Sequence, residues 1–176
     1  MPTASPEPIP AGVTIRPARS RDAAAIARFH VAVWRETYGT LAPATAIASL
    51  DETHRRAGWR DALADPARST RIAVADGDIV GLVSAGPPAD HVYGPRGEIK
   101  HLYVAAQARR LGLGAALLAL GHKDVARAGF SGTGLGVVLE NTAARAFYAA
   151  TGGREVAQFT DPGPLWRSQM VLVAWD

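Results

Sequence analysis

The sequence predicts one α/β domain in which helices pack on a mixed central sheet, and three observations predict it. The segments Arg71–Ala75 and Ile79–Ser84 flank Asp76-Gly77-Asp78, which is a strong β-hairpin pattern. The strand-like segment Gly97–Val104 leads through a basic glycine turn into an apolar helix. Helical and strand patterns alternate without internal repeats, which is typical of a layered α/β domain.

The first half of the chain begins with a predicted short strand from Val13 to Arg16, which Pro17 ends. Ser20 and Asp22 are favoured at helix starts, and a helical pattern then runs over residues 21–38. A weaker helical stretch covers residues 43–64, and we expect it to break near Asp51.

The second half continues with a helix over residues 113–128, which Gly129 ends. A short buried strand follows at 135–139, then a helix at 141–151 and two closing strands near 155–159 and 167–174. Residues 1–12 carry four prolines and are predicted to form a flexible tail, and residues 13–176 to form a single domain.

The composition argues against several classes of protein. The chain has no cysteine, so disulfides, thiolate metal sites and a cysteine nucleophile are excluded, and its five histidines show no paired ligand spacing, so we expect no metal. Lys100 and Lys123 are the only lysines among 19 basic residues, and no basic run exceeds two residues, which argues against nucleic acid as a partner. No segment is apolar enough to span a membrane and no secretory signal is recognisable, so we expect a cytoplasmic protein without a membrane partner.

The turn Arg109-Arg110-Leu111-Gly112-Leu113-Gly114 opens the apolar helix and predicts an anion site. The first turn of a helix has free N–H groups and a dipole that favours anions. We expect Gly112 and Gly114 to leave room for a phosphate and the two arginines to add charge at the rim. A tight turn with glycines for geometry alone is the alternative. No Lys or Ser/Thr follows Gly114 as a P-loop requires, and Leu117 stands where a dinucleotide fingerprint needs a small residue.

Three motifs in order make the chain resemble the GNAT superfamily of acetyl-CoA-dependent N-acetyltransferases over about residues 13–173. The coenzyme signature Gln/Arg-x-x-Gly-x-Gly/Ala is matched by Arg109, Gly112 and Gly114. The segment 98–104 is similar to the family's central strand, and 141–148 to its second signature, Asn-x-x-Ala-x-x-Phe-Tyr. The resemblance implies a three-layer fold with a mixed sheet of about six or seven strands and about four helices.

The resemblance also implies acetyl-CoA as co-substrate, with the acyl chain length left open, and direct transfer to an amine. The implied coenzyme contacts lie on the central strand, the turn and the second signature: Leu102, Tyr103, Val104, Arg109, Arg110, Leu111, Gly112, Leu113, Gly114, Ala115, Asn141, Ala144 and Tyr148. Two positions depart from the family. Gly153 stands where an aromatic residue is usual, and Gly136 stands where some members carry the base.

Tyr148 is the candidate that would stabilise the departing thiolate. Asn141 and Tyr148 are seven residues apart and should share one helix face. Full proton transfer from a phenol to a thiolate is uphill by about 2 kcal/mol, which favours a hydrogen bond with late transfer. The alternatives are a core position for Tyr148 and a helix cap alone for Asn141.

Glu98 is the first candidate for the base that takes the amine's proton, as in the histone-acetylating branch of the family. His101 is the second because its ordinary pKa suits a base, and a water chain is the third. Since side chains alternate along a strand, we expect Glu98 and His101 to face opposite sides of the sheet.

The acceptor is expected to be the primary amine of a small molecule, polyamine-like or otherwise. Trp34 and Tyr38 lie on one stripe of the first helix with His30, and an aromatic face can hold a cation; an aromatic core stripe is the alternative. We count Trp34, Tyr38 and His101 as the acceptor side, which Tyr93 and its neighbours could complete. A protein or peptide acceptor, a non-catalytic acyl-CoA-binding domain and a homodimer remain open.

Overall fold

A computed structural model describes residues 9–176. The predicted flexible tail therefore lies largely outside the described residues, since 1–8 are not among them. Its last part leads through a turn, in which the Val13 amide donates to the Pro10 carbonyl at 3.1 Å, directly into the first strand.

Seven strands form one sheet, in agreement with the expected six or seven. The sheet order is β1-β2-β3-β4-β5-β7-β6, and every neighbouring pair is antiparallel except β4 and β5. The predicted hairpin joins β2 to β3, and Asp76 and Gly77 both have the positive φ that such a tight turn needs. The strands are β1 Val13–Pro17, β2 Ser69–Ala75, β3 Asp78–Gly86, β4 Gly97–Val104, β5 Thr133–Val138, β6 Arg154–Thr160 and β7 Gln169–Trp175.

Five α-helices accompany the sheet within residues 9–176, in agreement with the expected number of about four. The helical stretch at 43–64 divides, as its pattern suggested, because Leu50 is extended and Asp51 caps a new helix by accepting from the His54 amide at 2.8 Å. The helices are α1 Ala23–Tyr38, α2 Ala44–Ser49, α3 Glu52–Ala64, α4 Leu113–Arg127 and α5 Thr142–Ala150.

The helices form two layers around the sheet. Helix α4 packs closely on β3 and β4, because a Cβ atom at Gly81 would lie 2.8 Å from Leu117 and one at Gly121 would lie 3.0 Å from Ile99. Helices α1 and α3 pack on each other and cover the opposite face of the same strands. The apolar residues between these layers form the main core, which includes Ile26, Trp59, Ile72, Leu82, Leu113, Leu117 and Val173.

The sheet opens in its middle, between the parallel strands β4 and β5. They pair only through Gly97 with Thr133 and Glu98 with Gly134, and separate beyond that point. No helix within residues 9–176 has the length and apolar character needed to cross a membrane.

Candidate active site

The gap between β4 and β5 leaves one edge of β4 without a neighbouring strand. From Ile99 to Val104 the strand pairs with β3 only, so the backbone groups on its other edge face the gap. An extended chain can pair with such an edge as an additional strand would. The turn between β4 and α4 lies at the end of this edge.

The turn itself is shaped to receive an anion. Arg110 and Gly112 both have positive φ, +63° and +80°, and Gly112 is the N-cap of α4. Alternation of left- and right-handed backbone turns successive N–H groups towards one concavity. Among the described residues, the N–H groups of 110–115 have no hydrogen-bond acceptor. The residues present therefore fit a pyrophosphate, which needs several convergent donors.

Two residues of the turn make contacts that the sequence did not predict. Arg109 turns back from the rim, pairing with Glu36 of α1 at 2.9 Å and donating through Nε to the Val104 carbonyl at 3.0 Å. A Cβ atom at Gly114 would lie 3.3 Å from the Phe147 ring, so this glycine lets α4 and α5 pack closely. Gly114 thus has a packing role besides the expected one of leaving room for a phosphate, and its N–H group has no acceptor among residues 9–176.

Helix α5 presents the two residues of the second signature. Asn141 is the N-cap, accepting from the Ala144 amide at 3.2 Å, and its Nδ2 also donates to the Tyr38 hydroxyl at 3.4 Å. Asn141 is thus a cap with a second contact, to Tyr38. Tyr148 is buried against Phe147 and Trp175. Its burial fits the core alternative as well as the catalytic one.

Three phenols, those of Tyr38, Tyr103 and Tyr148, are close enough to influence one another electrostatically. Burial raises the pKa of all three above the ordinary value of a tyrosine, and for Tyr148 the nearby Tyr38 raises it further. The phenols therefore stay protonated at neutral pH and can donate hydrogen bonds.

Gly153, the departure from the family pattern, has a structural explanation. A Cβ atom there would lie 2.6 Å from Val173 and 2.7 Å from the Trp175 ring. The indole of Trp175 fills this space and its Nε1 donates to the Thr151 carbonyl at 3.1 Å. An aromatic side chain from β7 thus packs where the family usually has one after α5.

The expectation that Glu98 and His101 face opposite sides of the sheet is wrong. His101 pairs with Ser84 and Ile99 pairs with Ala85, so Lys100 is an extra residue in β4. This bulge shifts the alternation by one residue and brings Glu98 and His101 to the same face, the one covered by α1 and α3.

Glu98 lies where β4 and β5 separate, and its carboxylate has three hydrogen-bond donors. It accepts from Lys100 Nζ at 2.7 Å, the Ala89 amide at 2.8 Å and the Tyr93 hydroxyl at 3.2 Å. A Cβ atom at Gly136 would lie 3.2 Å from that hydroxyl. Tyr93 thus covers the position that holds a base in other family members. From the sequence, Tyr93 was predicted only as a residue that could complete the acceptor side.

His101 belongs to a cluster of aromatic side chains from α1, α3 and β4. Its ring lies 5.1 Å from His30, 4.9 Å from Trp59 and 5.9 Å from Tyr103. The Trp59 indole donates to His30 Nδ1 at 3.1 Å. Burial lowers the pKa of His30 to about 3 and that of His101 well below its ordinary value, with nearby positive charges lowering both further. Both imidazoles are therefore neutral at neutral pH.

Trp34 and Tyr38 have different environments although they lie on one face of α1. Trp34 is buried in a small apolar cluster with Val31 and Leu50, which supports the core alternative for this residue. Tyr38 is partly exposed, and the Trp166 ring from the β6–β7 loop packs within 6.0 Å of it and 6.4 Å of Trp34. Trp166 therefore forms part of the wall of the predicted acceptor side, and it was not predicted from the sequence.

The chain matches the family model described as the acetyltransferase (GNAT) family over residues 28–152. A curated relative, the uncharacterized N-acetyltransferase YuaI of Bacillus subtilis (strain 168), is 32% identical over 150 residues and the match covers 83% of each chain.

Solved structures share the fold at lower identity. The PaiA N-acetyltransferase of Thermoplasma acidophilum, in complex with coenzyme A, has a TM-score of 0.74 at 19% identity, covering 92% of this chain and 97% of that one. The ribosomal-protein-alanine N-acetyltransferase of Brucella melitensis has a TM-score of 0.68 at 22% identity, covering 92% and 98%.

The order of the motifs, the opened sheet and the anion-binding turn agree with the match over most of the chain. The family match gives the type of reaction, which is transfer of an acetyl group. The chain belongs to the GNAT family and is an acetyl-CoA-dependent N-acetyltransferase.

Proposed function

We propose that this chain transfers an acetyl group from acetyl-CoA to the primary amine of a small molecule, by direct attack in a ternary complex. The coenzyme's pyrophosphate binds to the N–H groups of residues 110–115, with charge from the exposed Arg110. Its pantetheine arm pairs with the free edge of β4 at Leu102, Tyr103 and Val104. The absence of cysteine is consistent with a reaction that needs no acyl-enzyme.

Tyr148 donates a hydrogen bond to the sulfur as the C–S bond breaks. Burial raises the pKa of its phenol, so complete transfer costs more than the roughly 2 kcal/mol that ordinary values imply. Tyr148 therefore stabilises the developing thiolate and gives up its proton late, leaving free coenzyme A as the thiol.

Glu98 takes the proton of the attacking amine, directly or through water. Because the bulge places Glu98, His101 and Tyr103 on one face of β4, the carboxylate and the neutral imidazole can serve one proton route. Hydrogen bonds from Lys100 and Tyr93 hold the Glu98 carboxylate where β4 and β5 separate. His101 remains the alternative base.

The observation that supports a small acceptor is the position of the β6–β7 loop. Leu165 and Trp166 of this loop pack against the cluster that contains Trp34 and Tyr38. The loop thereby closes over α1 at the acceptor side. A peptide needs an extended groove or a free strand edge, whereas a small amine needs only a pocket with aromatic walls.

A panel of amines tests this proposal through release of the free thiol from acetyl-CoA. The panel contains polyamines, amino acids, aminoglycosides, peptides with a free N-terminus and lysine peptides. We expect the highest kcat/KM with a small amine. Trp166→Ala should lower the ratio of kcat/KM for that amine to kcat/KM for peptides.

Two results would contradict the proposal. Acetylation of peptides but of no small amine would favour a protein acceptor, the kind of substrate named for the Brucella enzyme. Binding of acetyl-CoA without thiol release with any amine would indicate a non-catalytic acyl-CoA-binding domain. A cytoplasmic location and a single domain over 13–176 stay predictions.

A further inference from the structure

A small cavity lies beside the aromatic cluster, between α1, α3 and the sheet. Its volume is about 180 Å³, which is well below that of a typical site for a drug-sized ligand. No residue of the coenzyme turn lines it. Its polar and aromatic lining consists of His30, His54, Arg55, Trp59, Arg68 and His101.

The charged side chains that line this cavity are both positive. Neither Arg55 nor Arg68 has a carboxylate within ion-pair distance among residues 9–176, whereas nine other basic side chains do, counting His91. Asp65 and Glu98 act on Arg68 only at longer range, and its one side-chain partner is the Ser84 hydroxyl, 3.0 Å from Nη2. The lining thus lacks a counter-charge.

Three polar atoms of the lining are also buried without a partner. Within residues 9–176, Arg55 Nε, Arg68 Nε and His101 Nδ1 are inaccessible and make no hydrogen bond. A buried donor without an acceptor is costly, and a buried charge without a partner costs more. Two guanidinium groups, that of Arg55 on α3 and that of Arg68 just before β2, therefore line one cavity without a carboxylate partner among residues 9–176.

We propose that this cavity binds a small anionic group, a carboxylate or a phosphate, at a site separate from the pyrophosphate cradle. Guanidinium groups bind such oxygens through paired, charge-assisted hydrogen bonds, and the neutral rings of His30, Trp59 and His101 form the remaining wall. The anion is either part of the acceptor or a free molecule. The site itself does not depend on the identity of the acceptor amine.

Isothermal titration with inorganic phosphate and with succinate tests the site, using the wild-type chain without acetyl-CoA. The variants are Arg55→Gln and Arg68→Gln, and Arg56→Gln is the matched control because Arg56 neighbours Arg55 on α3, is exposed and does not line the cavity. Phosphate bound at the coenzyme turn contributes equally in all four proteins. The NMR signal of the Trp59 indole N–H reports the cavity itself, and thermal melting checks that each variant is folded.

We expect the binding of at least one anion to shift the Trp59 signal and to weaken by about 10-fold or more in Arg55→Gln and Arg68→Gln, and to persist in Arg56→Gln. The inference is overturned if neither anion shifts the Trp59 signal of the wild-type chain. It is equally overturned if folded Arg55→Gln binds as the wild type does, or if Arg56→Gln loses binding to the same extent.

A matched pair of acceptors distinguishes the source of the anion. Putrescine and γ-aminobutyrate have the same chain length, but only the second carries a carboxylate. A KM raised for γ-aminobutyrate alone in Arg68→Gln assigns the site to the acceptor. Anion binding without any such change assigns it to a free anion. If neither compound is acetylated, the titrations still show whether the cavity binds an anion.

Discussion

The two sides of β4 recognise their ligands by different means. On the coenzyme side, the proposed ligand groups are backbone N–H groups of six consecutive residues, 110–115, and the free edge of the strand. On the proposed acceptor side, the cavity lining consists of side chains from α1, α3, β4 and the segment before β2, such as His30, His101 and Arg68, which lie far apart in the sequence. The first side depends on local backbone shape, and the second on how distant elements pack. A family can therefore keep its coenzyme and change its acceptor.

The two sides also differ electrostatically. The coenzyme turn offers the partial positive charge of a helix N-terminus, which does not titrate. The acceptor side has two neutral, buried histidines next to Arg55 and Arg68. In the folded protein these two imidazoles stay neutral at neutral pH, so the positive charge on the acceptor side comes from the two arginines.

Gly112→Glu should have the largest effect, because it directs a carboxylate into the anion cradle. Loss of two charge-assisted hydrogen bonds costs about 4 kcal/mol, which weakens acetyl-CoA binding about 1000-fold. Gly129→Glu is the matched control, since Gly129 also has a positive φ but follows the other end of α4. Titration with acetyl-CoA measures both. Equal losses in the two variants would show that backbone strain, and not the cradle, is responsible.

Tyr148→Phe should lower kcat about 100-fold and leave the affinity for acetyl-CoA unchanged. The hydroxyl of Tyr148 makes no hydrogen bond with another residue among 9–176, so its removal should hardly affect folding. Burial raises the pKa of Tyr148, so its ionisation should cause no loss of kcat below about pH 10. Single-turnover thiol release is the measurement. An unchanged kcat would leave Tyr148 with a packing role only.

Glu98→Gln should lower kcat about 30-fold, within the usual range for a general base. His101→Gln is the companion variant on the same face of the strand, and a larger loss there would identify the imidazole as the base. Since burial lowers the pKa of His101, an acid limb of kcat/KM due to this residue would lie below pH 6.5. Retention of kcat by Glu98→Gln would contradict the proposed role.

The unfolding free energy should decrease as the pH falls from about 6.5 towards 3. In that range the unfolded chain binds a proton at His30 that the folded chain excludes, because burial lowers the folded pKa to about 3. The expected loss between pH 7 and 5 is about 2 kcal/mol from this residue. Urea unfolding at both pH values measures it, with His30→Gln as the comparison. The same pH slope in both proteins would contradict the burial argument.

Much of the coenzyme side could be predicted from the sequence, because its residues are contiguous. The strand at Gly97–Val104, the glycine turn and the helix after it all have local signals, and the structure has them at nearly the predicted bounds. Even here the packing of Gly114 against Phe147 could not be predicted, since the two residues are distant in the sequence. Trp175, which fills the space above Gly153, was unpredictable for the same reason.

The acceptor side could not be predicted in detail. One extra residue in β4, Lys100, reversed the relation between Glu98 and His101, and a bulge has no signal within the strand itself. Arg55 and Arg68 were not singled out, because arginines are spread along the whole chain. Only packing shows which of them lack a partner.

Initial rates with acetyl-CoA and the best amine both varied test the central claim most directly, namely that both sides of β4 are occupied at once. Transfer in a ternary complex predicts double-reciprocal lines that intersect, and no thiol release before the amine is added. Parallel lines, with a burst of thiol in the absence of amine, would show an acyl-enzyme and contradict the account.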